Sequence, residues 1–459
     1  MALLPTIPPV LRLPLELLHE ILSDIEFHAH LLALALTCHA FKNLVIPRHI
    51  QYRVITTRNW VSPIWSHLAR RRDLARNIRQ VHMFDKSDTT FAVHIPTILL
   101  DSDLDRCKEV AHPSRLFANV AKALANMERL EVFTWSSWDE LTPTVCPTQE
   151  NAIFHSLCAI RSLKHIALMG NFGLHAKELK YDPKSEAFPL WNVRNLESLC
   201  LRGPTWINPH MSTHVRTFIN RSPALEYLEV PMEFSRLHEC HLPLLKRAKV
   251  KLESGGTSLL DHGRISFLDR HPQIEELYWF PLGYHPKVKP DMLPNLRRLQ
   301  TNIQVIGALD HGSAPRSMED LYIYDLDVDL FMVLRNVDRM AVKRLRVSKF
   351  GSMKSIARLA EVLPSLTEWI DALSQFRKLE IFRGAGLWSS VNDDIEKMHL
   401  VVLELIDRCP NLRELDHLFW YGKGNDWQRI AIRRDLPHKY EICAPTPKRW
   451  FDVMDGIFD

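Results

Sequence analysis

Residues 294–301 read Pro-Asn-Leu-Arg-Arg-Leu-Gln-Thr, and residues 272–279 read Pro-Gln-Ile-Glu-Glu-Leu-Tyr-Trp. The same pattern, Pro-x-(Leu/Ile)-x-x-Leu, begins again at Pro223 and at Pro410. Proline ends a preceding helix, and the apolar positions that follow it are spaced as they are along a strand. Four copies of one turn-and-strand signal predict a repeated unit rather than a single irregular domain.

A looser form of this pattern, aliphatic-x-x-aliphatic-x-apolar, recurs along most of the chain. Its central residues lie at positions 81, 130, 166, 199, 228, 248, 277, 299, 321, 345, 379 and 415. Six of the eleven steps between them are 20–29 residues long, which is the range of leucine-rich repeats. Helical runs at 114–125 and 395–407 precede two of the copies. Each unit exposes apolar surface that only a neighbouring unit can cover, so we expect the units to stack.

These motifs resemble a degenerate leucine-rich repeat array, the kind that often follows an F-box in fungal proteins. The resemblance implies an α/β fold in which parallel strands and helices form a solenoid over residues 78–426, with insertions such as the polar loop 85–113. The asparagine that the family carries after each strand is mostly missing, and Asn171 is the best match. An α/β domain with a leucine-rich core and no regular repeat is the alternative. Residues 427–459 are expected to form a C-terminal tail or cap.

The N-terminal region has a different pattern. Residues 13–22 read Leu-Pro-Leu-Glu-Leu-Leu-His-Glu-Ile-Leu, with a proline suited to a first helical turn and an apolar stripe that continues to Ile25. Residues 31–45 are apolar on nearly every side, which predicts a buried helix that ends before Pro47. Two short helices bury little apolar surface by themselves, so this region is expected to need a partner.

Residues 8–55 resemble an F-box, which begins with Leu-Pro and continues with a Glu-rich amphipathic helix, a leucine-rich helix and a basic-aromatic exit at 48–55. Ile46-Pro47-Arg48 stands where many members carry a tryptophan. The resemblance implies binding to a Skp-family adaptor and, through it, to a cullin ubiquitin ligase. The expected adaptor-binding residues are Leu13, Pro14, Leu17, Leu18, Ile21, Leu22, Leu32 and Leu36. A helical linker is expected to follow at 56–77. The alternative to the F-box is an ordinary helical cap on the next domain.

Composition excludes several classes of function. The net charge of +4 gives no support for nucleic-acid binding, and the eight cysteines form no C-x-x-C pair. We find no phosphate-binding glycine loop and no metal-ligand motif of the required spacing, so no cofactor and no catalytic residue is predicted. The longest uncharged apolar stretch, 31–41, is too short to span a membrane. These observations predict a cytoplasmic or nuclear protein.

The sequence therefore favours a non-catalytic adaptor that recruits a protein substrate to a ubiquitin ligase. Two alternatives stay open: a leucine-rich repeat scaffold that is not attached to a ligase, and an enzyme whose site lies on an unrecognised loop.

A substrate surface is also predicted, because side chains along a strand alternate between its faces. If the motif aliphatics face the core, the residues beside each central position face outwards. Two aromatic rows should then flank a polar row, with arginines alongside. The predicted residues are Tyr278, Phe280, Arg298, Tyr322, Tyr324, Arg344 and Arg346. Tyrosine and arginine are enriched in protein interfaces, although these aromatics could equally pack only across strands.

Overall fold

The computed structural model describes most of the chain in two units, Met1–Leu225 and Glu226–Asp459. The described residues are 9–25, 28–57, 63–84, 94–96, 113–137, 147–173, 188–231, 234, 236–251, 261–280, 289, 292–302, 305–306, 309, 318–323, 342–347, 370–371, 373–374, 376–384, 394–416 and 429–443.

The first unit is mixed α/β, with a helical N-terminus. Its described helices are α1 (Leu15–Asp24), α2 (His28–Ala35), α3 (His39–Val45), α4 (Pro63–Arg70), α5 (Arg72–Ala75), α6 (Pro113–Ala125), α7 (Pro147–Cys158) and α8 (Ser212–Asn220), with short 3-10 helices at Pro9–Arg12, Pro189–Asn192, Pro204–Ile207 and Pro209–Met211 and a π-helical turn at Ile46–Ile50. Its described strands are β1 (Val54–Thr57), β2 (Gln80–Met83), β3 (Val132–Ser137), β4 (His165–Gly170) and β5 (Ser198–Arg202). They pair in chain order and all run parallel.

The second unit continues the same pattern of parallel strands. These are β6 (Tyr227–Pro231), β7 (Arg247–Lys251), β8 (Glu276–Trp279), β9 (Arg298–Thr301), β10 (Asp320–Ile323), β11 (Arg344–Val347), β12 (Ile381–Gly384) and β13 (Glu414–Asp416), and the described helices are α9 (Asp261–Asp269), α10 (Ile395–Arg408) and a 3-10 turn at Leu237–Glu239. An antiparallel hairpin, β14 (Arg429–Ile432) and β15 (Tyr440–Cys443), pairs with β13. The hairpin lies in the predicted tail, and it covers the sheet edge that β13 would otherwise expose.

Eight of the twelve predicted central residues stand opposite another predicted centre on a neighbouring strand, as Leu277, Leu299 and Leu321 do. Two more, Val81 and Leu415, stand opposite Phe133 and Phe382. Positions 130 and 379 are wrong by three residues, because Phe133 and Phe382 are the residues in register with the neighbouring centres. In these two repeats phenylalanine stands at the centre and leucine three residues before it, so the apolar spacing fitted the leucine as well as the true centre.

One strand was missed by the sequence analysis. Ile55 lies on β1 directly opposite Val81, so the predicted boundary at residue 55 falls inside a strand, and the predicted helical linker begins with strand residues. The backbone of Thr56 also exchanges two 2.9 Å hydrogen bonds with His94. The outer edge of β1 is therefore paired at that residue.

The proline motif forms the predicted turn. The carbonyl of His271 accepts from the Ile274 N–H at 3.2 Å, and the carbonyl of Cys409 accepts from the Leu412 N–H at 3.0 Å. Proline occupies the second position of each turn, where its fixed φ angle is favoured. The turn therefore directs the chain from the preceding segment into the strand.

Amide side chains connect successive turns. The Asn411 side chain donates to the Arg377 carbonyl at 2.7 Å, and the Asn295 side chain donates to the Pro272 carbonyl at 3.3 Å. These asparagines lie before the strand, whereas the leucine-rich repeat pattern places its asparagine after it. Polar side chains at the strand entry thus bind carbonyls of the preceding turn.

A charged residue two positions before each centre fixes the strand entry. In the second unit these residues alternate in sign along the sheet: Glu226, Lys246, Glu275, Arg297, Glu319, Lys343, Glu380 and Arg413. Glu319 pairs with both neighbours, with Arg297 through a short contact and with Lys343 at 3.0 Å. Hydrogen bonds from Arg297 and then Lys343 lower the pKa of Glu319 to about 2.

Aromatic rings fill much of the core of the first unit. Trp135 packs edge-to-face against Phe172 with their ring centroids 5.1 Å apart, and Phe172 packs against Trp206 at 5.8 Å. Phe154 of α7 contacts both Trp135 and Phe188. The helices and connecting segments are thereby held against one side of the parallel strands.

We predict that Glu319→Lys destabilises the protein, because it places a third positive charge between Arg297 and Lys343. Two attractive pairs become repulsive, so the free energy of unfolding should fall by roughly 1–2 kcal/mol at low ionic strength. Urea unfolding at 20 mM and 1 M NaCl measures the effect, which salt should reduce.

Glu404→Lys is the matched control, since Glu404 pairs with Arg408 alone among the described residues, at 3.4 Å on the exposed face of α10. Its effect should stay below about 0.5 kcal/mol. Equal unfolding free energies for the two variants would contradict a stabilising role for the alternating charges.

Candidate functional site

The N-terminal helices are built around a small apolar core. Leu22, Leu31, Ala35 and Val45 are buried together. The predicted helix over 31–45 is in fact two helices, α2 and α3. The Thr37 hydroxyl donates to the Leu34 carbonyl at 2.7 Å, and Cys38 has an extended backbone. Local side-chain hydrogen bonding of this kind competes with a continuous helix.

A set of large apolar side chains remains exposed around this core. We call it the N-terminal apolar surface: Val10, Leu13, Leu15, Leu17, Ile21, Leu32 and Leu36. Leu17 and Ile21 are four residues apart on α1, so they share one face of that helix. Leu36, just beyond α2, is 78% exposed. Exposed apolar side chains at this density are characteristic of a protein-interaction site.

Two of the predicted adaptor-binding residues are not part of the N-terminal apolar surface. Leu18 and Leu22 are buried inside the chain, so we correct their assignment to core positions. On a helix with one broad apolar stripe, the pattern alone does not show which half of the stripe packs inside and which half stays exposed. Pro14 is exposed and directly precedes α1, as its predicted role in the first helical turn requires.

The polar side of α1 carries a chain of hydrogen bonds. Arg48 donates to Nε2 of His19 at 2.8 Å, and Nδ1 of His19 lies 3.0 Å from Nε2 of His49. Since arginine only donates, His19 carries its proton on Nδ1 and donates it to His49, which leaves both rings neutral. Burial, reinforced by His19 and nearby arginines, lowers the pKa of His49 to about 3. Burial, followed by the charge of Arg48, also lowers the pKa of His19.

The same side of α1 is attached to the strand entries. Arg129, just before β3, pairs with Glu20 at 2.6 Å. Arg79, just before β2, donates to the Ser23 carbonyl and pairs with Glu131. One side of α1 is therefore bound to the parallel strands of the first unit, and the N-terminal apolar surface remains available to a partner.

The predicted substrate residues lie on strands β8 to β11 in the second unit. Tyr278 and Tyr322 stand on either side of Gln300 in the paired register, which matches the predicted aromatic–polar–aromatic order. Phe280 packs edge-to-face on Tyr278 at 5.0 Å. Tyr324 lies outside the described residues.

This face is less open than predicted. Tyr322 is only 9% exposed, because the Arg346 guanidinium lies 4.8 Å above its ring. The Lys249 ammonium similarly lies 4.9 Å above the ring of Tyr278. A cation from a neighbouring strand thus covers each tyrosine.

The predicted arginines of this face are held by buried carboxylates. Arg298 pairs with Glu276 at 2.8 Å and with Asp320 at 2.9 Å. Arg344 binds the same Asp320 carboxylate in a bidentate arrangement, through its Nε and Nη2 atoms. The aspartate is 1% exposed, whereas the two arginine side chains are 41% and 40% exposed.

Comparison with known proteins supports the interpretation of the N-terminus. A protein-family model described as F-box domain matches residues 10–48, which confirms the prediction of an F-box in this region. Comparison of the chain with curated proteins gives no match. Within the described part of the chain, we find no helix long and apolar enough to cross a membrane and no metal-binding group of three or more His, Cys, Asp or Glu residues.

We predict that the buried His49 makes the protein less stable in mild acid. His49 takes up a proton below about pH 6.5 only when the chain is unfolded, since its pKa in the folded protein is about 3. The neutral His49 therefore makes its full contribution to the free energy of unfolding above about pH 6.5. At pH 5 that free energy should be lower by about 2 kcal/mol. Urea unfolding at pH 7.5 and pH 5 measures this loss.

His49→Gln should lose about 2 kcal/mol less than the unaltered protein over the same interval. His155→Gln, at an exposed position of α7, is the control and should keep the pH dependence of the unaltered protein. The explanation is wrong if His49→Gln also keeps that pH dependence.

Proposed function

We propose that the protein is the substrate-recognition subunit of a Skp–cullin–F-box ubiquitin ligase. The observation that carries this proposal is the exposure of the N-terminal apolar surface inside the segment that the F-box model matches. Leucine and isoleucine side chains that remain in water gain free energy when a partner covers them. A Skp-family adaptor, and through it a cullin, is the partner that an F-box domain implies.

The attachment of α1 supports this role. The Glu20–Arg129 pair and the contacts of Arg79 hold the helix on its polar side. A docking helix fixed in this way presents its apolar side in one orientation. An adaptor bound there would therefore have a defined position relative to the first unit. The transfer of ubiquitin to a bound substrate would require such a defined position.

The remaining chain supplies the substrate-binding part in this proposal. We interpret the parallel strands, their proline turns and their 20–37-residue spacing after β3 as a degenerate leucine-rich repeat solenoid. The protein substrate would bind to this array. The chain would carry out no chemistry itself, and it would act in the cytoplasm or the nucleus.

One observation favours a second candidate function. Arg79 and Arg129 hold α1 next to the strand entries, as they would if the helices merely capped the strands of a scaffold. A scaffold of this kind would bind proteins through the array and would have no adaptor. Capture of a Skp-family protein separates the two functions.

We predict that Leu17→Asp combined with Ile21→Asp abolishes capture of the adaptor. Both side chains are about half exposed, so the folded chain should tolerate the change. A buried and unpaired carboxylate at the interface costs several kcal/mol, which weakens binding by more than about a hundredfold. Co-purification of Skp and cullin with the full chain is the measurement.

The matched control is Ile395→Asp combined with Leu400→Asp, which alters two equally exposed apolar residues on α10. Both double variants should melt within a few degrees of the unaltered protein, and only the first should lose the adaptor. Full capture by a folded Leu17→Asp, Ile21→Asp variant would reject the adaptor function and leave the scaffold.

A further inference from the structure

The face of β7 to β11 that carries Tyr278 and Tyr322 has an uneven distribution of charge. Among the side chains that the structure describes, the positive ones are Arg247, Lys249, Arg298, Arg344 and Arg346, and the negative ones are Glu276 and Asp320. These seven side chains have a net charge of +3. Positive groups therefore outnumber negative ones on this face of five neighbouring strands.

Lys249 is buried, at 4% exposure, but around Asp320 the arginines are more exposed than the carboxylates. Asp320 and Glu276 are 1% and 15% exposed, whereas Arg298 and Arg344 are about two-fifths exposed. The carboxylates lie beneath the guanidinium groups that they hold. A partner that approaches this face meets nitrogen donors rather than carboxylate oxygens.

The geometry of the arginines suits recognition of carboxylates. Asp320 lies on the middle strand and binds Arg298 from one neighbouring strand and Arg344 from the other. Adjacent strands are ~4.8 Å apart, so the two arginine positions are separated by roughly 10 Å. Each guanidinium has five N–H donors in a planar fork, more than these contacts use. The buried aspartate orients both groups, which reduces the entropy lost when they bind an anion.

We propose that this surface, which we call the arginine surface (Arg298, Arg344 and Arg346), binds an acidic peptide segment rich in glutamate or aspartate. This proposal rests on the proposed function in one respect, because the peptide would belong to the substrate that the ligase recruits. Half-buried Tyr278 and Phe280 beside the arginines provide apolar contact area for the side chains between the carboxylates.

The test uses the full chain and a fluorescent twelve-residue peptide of alternating glutamate and glycine, followed by fluorescence anisotropy in 50 mM NaCl. The same peptide with glutamine in place of glutamate should bind at least about tenfold more weakly. Raising NaCl to 300 mM should weaken binding of the glutamate peptide, because the contacts are exposed ion pairs. Equal binding of the two peptides, or no binding of either, would overturn the proposal.

One triple variant removes the donors of this surface. Arg298→Gln, Arg344→Gln and Asp320→Asn together remove them without leaving the buried Asp320 carboxylate unpaired, and they should weaken binding of the glutamate peptide by roughly tenfold to a hundredfold. Unchanged affinity in the triple variant, with an unchanged melting temperature, would reject the arginine surface.

Two further controls address specificity. Arg408→Gln combined with Arg433→Gln alters two paired, exposed arginines elsewhere in the same unit and should leave peptide affinity intact; an equal loss would show that only overall charge matters. A twelve-nucleotide single strand should bind more weakly than the glutamate peptide. Tighter binding of the oligonucleotide, lost in the triple variant, would assign the surface to nucleic acid instead.

Adaptor capture separates this proposal from the function on which it rests. The triple variant should still co-purify with Skp, and the Leu17→Asp, Ile21→Asp variant should still bind the glutamate peptide. Loss of the peptide alone rejects the arginine surface, and loss of Skp capture by the unaltered chain rejects the ligase function.

Discussion

At the entry to the parallel strands, one backbone carbonyl accepts two N–H groups from the strand that follows. The carbonyl of Arg297 accepts from Glu319 at 2.8 Å and from Asp320 at 3.1 Å, and the carbonyl of Glu131 accepts from Lys164 and His165 at 2.9 Å each. Breaking such a contact would leave polar groups without partners. Slippage by one residue would also move every apolar side chain to the opposite face of the strand. The remaining structure depends on this shared carbonyl, because it holds the strands in register.

Fixed register converts positions in the sequence into rows of neighbours in space. One row is apolar and buried, as Leu277, Leu299 and Leu321 show. The row two residues earlier carries the alternating charges. The row between them contains Arg298, Asp320 and Arg344, in which one buried carboxylate holds two arginines. Apolar packing, the alternating charges at the strand entry and the arginine–aspartate contacts therefore belong to different rows of the same short motif.

The N-terminal region is held together by different contacts. Helix α1 has a buried apolar side, an exposed apolar side and a polar side that pairs with Arg79 and Arg129. The buried side gives the small helical segment its core, and the polar side attaches it to the larger unit. The exposed side keeps its leucine and isoleucine side chains in water, where the partner that we propose would cover them.

The sequence by itself determined the repeating turn-and-strand unit, because proline turns and apolar spacing are local properties that neighbouring residues along the chain express. It also identified the F-box and ten of the central strand positions. It misplaced the centres at Phe133 and Phe382, since the leucine three residues before each of them fits the same apolar spacing until a neighbouring strand selects one position, and it missed β1. Only the tertiary structure decided that Leu18 and Leu22 are buried while Leu17 and Ile21 are exposed, because that depends on which side of α1 meets the other helices. Only the tertiary structure also revealed the two arginine partners of Asp320. They lie 22 and 24 residues away along the chain and become adjacent only through strand pairing.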